Sequence, residues 1–360
     1  MSKLSEEQKE IISCLKNQNV LVDAVAGSGK TTTSLHVAKK YKNKNILLLT
    51  YNSKLKLETR KKIKELQINN LEAHNYHSFC VNYYDKKCFV DKEIDNVIEN
   101  KIKSNKIFNY DLIIVDECQD MKKLFFRLLI KIISENTKNA NLCLMGDIFQ
   151  CIYQFNGADF RYLKFGNQII INDFKWKKKK LSQSFRMNKQ TSEFINNCMI
   201  RNERIKSFKE GKKPTYIICN IFKTYNTVEK YLKKYKPGDI FILAPSVKAH
   251  KSPVMRLENK IKRKYQNKIP IYVSNSDDEK IDNEIIKNKL VITTFHQSKG
   301  LERKIVILFN FDNSYFKIFA KDANSKICPN LLYVGCTRAL EKLIVLHDYK
   351  NGYLPFLNSN

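Results

Sequence analysis

No stretch of this 360-residue chain stays apolar for the roughly 18–20 residues that a membrane-spanning helix needs. The nearest candidate, Leu124 to Ile133, is broken by Arg127 and Lys131, so no membrane association is expected. The opening Met1-Ser-Lys-Leu-Ser-Glu-Glu-Gln8 lacks the basic-then-apolar pattern of a secretory leader. Ten cysteines occur singly, with no CxxC pair and no Cys/His ligand spacing, which speaks against structural zinc and for reduced thiols. A soluble protein of the cell interior, cytoplasmic or nuclear, is therefore expected. Internal repeats and low-complexity tracts are absent too. Acidic residues are in short supply: 36 Asp and Glu face 65 Lys and Arg, a formal net charge of +29. Such a surplus suits a polyanionic partner. Yet the lysines are spread along the whole chain beside abundant Asn and Ile, as A+T-rich coding sequence would produce, so charge alone leaves the partner open.

What is present is an ordinary apolar fraction of 43% and enough length for two domains. Apolar runs of strand length alternate with helical periodicity, which reads as α/β with mostly parallel strands. The strands are expected at Val20–Ala26, Ile46–Thr50, Asp111–Asp116, Asn141–Gly146, Ile240–Pro245, Val291–Thr294, Ile305–Asn310 and Leu343–Leu346. Helices are expected at Glu6–Lys16, Thr31–Lys42, Lys54–Leu66, Leu124–Glu135, Lys189–Ile200 and Thr227–Tyr235. The lysine run from Lys175 to Lys180 around Trp176 reads as a surface loop, and a domain boundary is placed near residue 178, giving domains 1–178 and 179–360.

The apolar Val20-Leu-Val leads into Ala24-Val-Ala26-Gly27-Ser28-Gly29-Lys30-Thr31-Thr32 and then a helical pattern. Strand, glycine turn, Lys-Thr and helix form a cradle for a nucleoside triphosphate, because small residues let backbone N–H groups curl around phosphates at a positive helix end. Lys30 would reach the β- and γ-phosphates and Thr31 would ligate Mg²⁺. Ala24 stands where the consensus has its first glycine. The strand Asp111-Leu-Ile-Ile-Val115 ends in Asp116-Glu117, placing one carboxylate to hold the metal and the next to act as general base on the attacking water. After the strand at 141–146 come Gln150, suited to the γ-phosphate or its water, and Tyr153 and Phe155, suited to stacking on bases or to filling a core. The second half has no phosphate loop, so its arginines are candidates for completing a nucleotide site from outside the first domain.

Val115-Asp-Glu-Cys-Gln-Asp120 followed by Gly146-Asp-Ile-Phe-Gln-Cys-Ile-Tyr-Gln-Phe-Asn-Gly-Ala158 resembles motifs II and III of the UvrD/Rep/PcrA helicases of superfamily 1. Other motifs follow in the family's order. Leu4-Ser-Glu-Glu-Gln8 resembles the Q motif, which implies that Gln8 reads adenine. Thr50-Tyr51-Asn52-Ser53-Lys54 and Asn75-Tyr76-His77-Ser78-Phe79 resemble motifs Ia and Ib, which implies single-stranded DNA contacts from Tyr51, Asn52 and His77. Leu181-Ser-Gln-Ser-Phe185-Arg186 resembles motif IV, implying that Phe185 stacks on adenine and Arg186 is an arginine finger. Thr293-Thr294-Phe-His296-Gln-Ser-Lys-Gly300-Leu-Glu302 resembles motif V, with Gly300 and Glu302 on the nucleotide and Thr294 and His296 on DNA. Tyr333-Val-Gly-Cys-Thr-Arg338-Ala resembles motif VI, with Arg338 as the second finger. The wording around motifs Ia and IV is closest to the F-box DNA helicase branch, without an F-box.

The resemblance implies two tandem RecA-like domains and a monomeric, ATP- and Mg²⁺-dependent motor on single-stranded DNA and duplex junctions, moving 3′→5′ in the service of repair or replication. Two features depart from the pattern. Arg303 replaces the usual aromatic after Gly-Leu-Glu, and the family's large insertions are shrunken: His77 to Asp116 spans about 40 residues and Arg186 to Thr293 little over 100. Rival readings are a translocase that unwinds weakly, a helicase acting on RNA, and an ATP-regulated nucleic-acid clamp that does not cycle. Intact Glu117, Gln150, Arg186 and Arg338 speak against the last. The Lys/Asn-rich lettering suits a large DNA virus or an A+T-rich microbe.

Overall fold

Alternation of side chains along apolar strands decides the architecture. In the first half, Leu47, Leu49, Ile113, Val115, Leu142 and Leu144 share one buried cluster, while Ile46, Leu48, Leu112, Ile114, Cys143 and Met145 share another. Successive residues of a strand point to opposite faces, so both faces of this sheet are covered. Each fully buried Leu, Ile or Val contributes about 1.5–3 kcal/mol, which outweighs the preferences of any single connecting segment.

The computed structural model describes residues 3–51, 53–247, 252–274, 281 and 284–358. It divides into two units, Met1–Gln183 and Ser184–Asn360. In the first unit the strands are β1 (Asn19–Ala24), β2 (Ile46–Thr50), β3 (Leu71–Asn75), β4 (Leu112–Val115), β5 (Asn141–Gly146) and β6 (Trp176–Leu181). They form one parallel sheet in the order β3-β2-β4-β5-β1-β6. The helices are α1 (Glu6–Cys14), α2 (Lys30–Lys40), α3 (Ser53–Glu65), α4 (Tyr76–Tyr83), α5 (Asp91–Glu99), α6 (Lys123–Glu135), α7 (Arg161–Lys164) and α8 (Gly166–Ile169). Helix α6 buries Phe125, Leu128, Leu129 and Ile132, one stripe at helical spacing, while Arg127 on another face pairs with Asp95 and Glu99.

The lysine run expected as a loop is instead β6, and a boundary at 178 would cut through it. Its residues pair with β1 from Asn19↔Trp176 to Ala24↔Leu181, so it belongs to the first sheet and the units part at Gln183/Ser184. Lysines on an edge strand leave its backbone paired on one side and charged on the other, which discourages further strand addition. Charge made the segment look like a loop.

In the second unit β7 (Thr215–Cys219), β8 (Ile240–Ala244), β9 (Ile271–Val273), β10 (Leu290–Thr294), β11 (Arg303–Leu308) and β12 (Ala339–Asp348) form a second parallel sheet, ordered β7-β12-β11-β8-β10-β9. Its helices are α9 (Lys189–Phe194), α10 (Tyr225–Leu232), α11 (Pro253–Lys264), α12 (Asn330–Cys336) and α13 (Pro355–Asn358). The helix expected over 189–200 changes to a π-helical turn at Ile195–Ile200. All ten thiols are free; Cys198 is exposed, Cys14 and Cys219 are half-buried, and the rest are buried. Among the described residues no helix is long and apolar enough to cross a membrane.

Candidate nucleotide site and nucleic-acid face

In a parallel sheet every strand ends at the same edge, and in the first unit that edge collects the chemistry. The phosphate loop follows β1, Asp116 and Glu117 follow β4, Asp147 follows β5, Tyr51 follows β2, and Tyr76 and His77 follow β3. Gly27 at φ 74° and Gly29 at φ 81° hold left-handed turns that a Cβ would strain. Gly29 is the N-cap of α2 and no side chain caps that helix, so its first-turn N–H groups face the loop as an anion cradle would require.

Lys30, the first residue of α2, sets its Nζ 3.0 Å from Glu117 Oε1. Burial works to lower the lysine pKa, but Glu117, Asp116 and Asp147 together outweigh it and hold the ammonium above its ordinary value. Asp116 is buried, and burial pushes its carboxyl well above the usual range; Lys30 opposes that rise and Glu117 adds to it. Its Oδ1 accepts the Glu117 N–H at 2.8 Å, and the Thr31 side chain also bonds to it. A buried carboxylate beside a hydroxyl is a fitting donor pair for Mg²⁺, which takes few protein oxygens and completes its shell with water and phosphate. Asp116 and Thr31 would hold the ion, and it would neutralise phosphate charge there.

Two further residues, Gln119 and Asp147, complete this wall beside the expected Gln150, and the sequence motif alone did not single them out. Gln119, two positions past Glu117, donates its Nε2 to Glu117 Oε2 and accepts the Asp147 N–H at 3.0 Å. Asp147 accepts Gln150 Nε2 at 2.8 Å, so Gln150 is buried within the same network. Gly146 leaves room for the Gln119 amide. The available signal was the pairing of a carboxamide and a carboxylate at the ends of neighbouring strands. Gln8 forms a capping box with Ser5 and donates to Thr33 Oγ1 at 3.1 Å, which places its buried amide against the first turn of α2. Ala24, Ala26 and Ser28 are buried, and Thr31 and Thr32 half-buried.

Beside this wall lies a group of rings. Tyr51 stacks on Tyr153 with centroids 5.9 Å apart, and Tyr153 meets Phe155 edge-on at 6.1 Å. Phe155 is 60% exposed, free of the core role that a phenylalanine usually takes. Burial, then Asp120 and Asp91, raise the Tyr51 hydroxyl to about 12. His77 Nε2 lies 3.0 Å from Asp91 Oδ1 and its ring meets Phe125 edge-on, as does that of Tyr51. Tyr51, His77, Tyr153 and Phe155 are thus gathered on one face; Asn52 lies outside the described residues.

In the second unit Arg186 Nε donates to Glu302 Oε2 at 2.5 Å, while Phe185 is half exposed. Gly300 is exposed at φ 82°. Arg338 is only 1% exposed: its Nε donates to Val334 O at 2.9 Å, Nη1 to Leu301 O at 3.3 Å and Nη2 to Thr337 Oγ1 at 2.9 Å. Arg303 and Ala339 are register partners at the starts of β11 and β12, so Glu302 and Arg338 share the entry edge of this sheet. Thr294 and His296 lie at the exit of β10, Thr294 buried and His296 half-buried. Arg303, where an aromatic was expected, lays its guanidinium over the Phe241 ring at 4.8 Å.

A phosphate loop, an acid-ended strand and two successive all-parallel α/β units define a P-loop NTPase of tandem RecA-like architecture. A family model described as an AAA domain matches residues 8–156, and one described as a UvrD-like helicase C-terminal domain matches residues 289–346. A protein of Acanthamoeba polyphaga mimivirus named as an ATP-dependent DNA helicase is 25% identical over 99% of this chain and 55% of its own length. The F-box DNA helicase protein 1 of Schizosaccharomyces pombe is 23% identical over 67% of this chain and 34% of its own. A protein of Mycoplasma capricolum named as a DNA helicase II homolog is 32% identical over 39% of this chain and 21% of its own. The chain is a relative of the UvrD-like superfamily 1 helicases, and it spans about half the length, or less, of these relatives.

Proposed function

We propose that this chain is an ATP-driven motor that moves 3′→5′ along single-stranded DNA and acts at duplex junctions. The observation that carries the reading is the contact of Lys30, at the end of the phosphate loop, with Glu117 beside the buried Asp116: a fixed cation for the phosphates, a carboxylate for the attacking water and one for the metal. Glu117 takes a proton from the attacking water, the water oxygen bonds the γ-phosphorus, and the bond to the ADP oxygen breaks. Lys30 stabilises the charge that gathers on the phosphate oxygens, where fixed charges contribute most. Gln8 and Phe185 are assigned to adenine, Gln150 to the attacking water, Glu302 and Gly300 to the nucleotide, and Arg186 and Arg338 to transition-state charge. Tyr51, Asn52, His77, Tyr153, Phe155, Thr294 and His296 are assigned to the strand. The test is Lys30→Ala, which should abolish DNA-stimulated ATP hydrolysis while leaving single-stranded DNA affinity within about twofold, since a cost of over 1.4 kcal/mol would be needed for tenfold. Turnover like that of the unmodified protein would overturn the assignment.

A second reading, translocation with weak unwinding, is favoured by the short segment between β3 and β4, whose only helices among the described residues are α4 and α5. Strand displacement measured beside translocation separates the two.

A further inference from the structure

We propose that Gln119 is the positioning residue for the general base: it sets the direction of the Glu117 carboxylate and ties it to the turn after β5. This inference rests on the ATPase reading above. Glu117 sits at φ 55°, ψ 40°, a left-handed conformation that costs a side chain with a Cβ. A residue held there has its side-chain direction fixed by tethers, and Gln119 supplies one. Its amide is 0% exposed and works at both ends. Nε2 donates to Glu117 Oε2 and, at 3.4 Å, to Asp120 Oδ2; Oε1 accepts the Asp147 N–H at 3.0 Å. Only a side chain with both a donor and an acceptor at this reach makes that bridge.

Gly146 gives independent support. A Cβ there would come within 2.1 Å of Gln119 Oε1, although no positive φ demands glycine at this position. The backbone is left bare where the amide passes. Beyond it, Asp147 accepts Phe149 N at 3.1 Å and Gln150 Nε2 at 2.8 Å, so the tether continues into the turn that leads to Tyr153. The direction of the base is thereby linked to a segment that carries the stacked rings.

A purely structural amide would satisfy the same bonds, so the experiment has to separate the two roles. Gln119→Met keeps length and removes donor and acceptor; Gln119→Glu keeps an acceptor for the Asp147 N–H but loses the donor to Glu117 and Asp120 and sets a third carboxyl beside theirs. Each should lower kcat about 10²-fold, the scale of an ångström-sized misplacement. Affinity of Gln119→Met for a fluorescent ATP analogue should stay near that of the unmodified protein, and melting temperatures identify any variant that merely unfolds, Gln119→Glu being the less stable of the two because it buries a carboxyl among carboxylates. The decisive arm places Gln119→Met in a Glu117→Gln background. With the base gone, the second change should cost less than about twofold more, because residues acting as one unit are not additive. Effects that multiply in the double variant, or a kcat within twofold in both single variants, overturn the inference and leave the ATPase reading intact. If the unmodified protein shows no Lys30-dependent hydrolysis, both fall together.

Discussion

Arg186 and Arg338 belong to one unit and meet opposite surroundings. The first pairs with the half-exposed Glu302, whereas the second spends its guanidinium on Val334 O, Leu301 O and Thr337 Oγ1 with 1% of its surface exposed. Removing a buried donor leaves its acceptors unsatisfied at about 1–3 kcal/mol each. Arg338→Ala should therefore destabilise the folded protein by about 2–4 kcal/mol, while Arg186→Ala should cost less than about 1 kcal/mol, its loss being a partly solvated pair. Urea titration of both variants checks this, and equal costs would contradict it. A loss of ATPase activity in Arg338→Ala thus needs its stability measured alongside. The neighbourhood was legible at this scale: the loop and the acid-ended strand meet, with Lys30 against Glu117 and Thr31 against Asp116. What the sequence withheld was partnership across distance. Gln119 reaching Asp147, and Arg338 reaching back to Leu301, depend on strand register and loop path, which no local pattern carries.

At the scale of elements, the central strands were readable because both faces are buried and leave unbroken apolar runs. Edge strands were not. β3 contains Glu72, His74 and Asn75; β6 is mostly lysine; β7 and β9 are half-buried along most of their length. Half-solvated strands need less apolar content, so their pattern dissolves into that of a loop. β3 offsets its polar residues with a network: Tyr83 and Tyr110 both donate to Glu72 Oε2 at 2.8 Å, and Arg60 Nη2 lies 3.1 Å from His74 Nδ1. The hydrogen bond from His74, against the pull of burial and aided by Tyr110 and Tyr83, holds Glu72 down to about 2. A depressed carboxylate stabilises above its unfolded pKa of about 4.3 and loses that contribution as pH falls through the folded value. Stability should accordingly decline between about pH 4.3 and 2, and Glu72→Gln should flatten part of that slope. Melting temperatures across the range test it; parallel curves would mean the network contributes nothing.

For the molecule as a whole, the +29 charge acquires meaning only beside the ring-bearing face of the first unit. On the proposed function, spread lysines would supply counterion release without saying where a strand lies, and Tyr51, Tyr153 and Phe155 would supply stacking surfaces. If a strand engages about five phosphates, the logarithm of affinity should fall by roughly 3.5 per decade of salt, or about 100-fold for a fourfold rise. Fluorescence anisotropy with single-stranded DNA from 50 to 200 mM salt measures it, and a flat response would remove the electrostatic role. The division at Gln183/Ser184, with an intact six-stranded sheet on either side, gives each unit its own core. Two such units are best followed by a marker fixed to one of them, and the thiol distribution provides it. Of ten cysteines only Cys198, on the π-helical turn of the second unit, is exposed, with Cys14 and Cys219 partly shielded. Brief maleimide treatment of the unmodified protein should attach one fluorophore at that turn, yielding a native optical reporter without engineering a single residue.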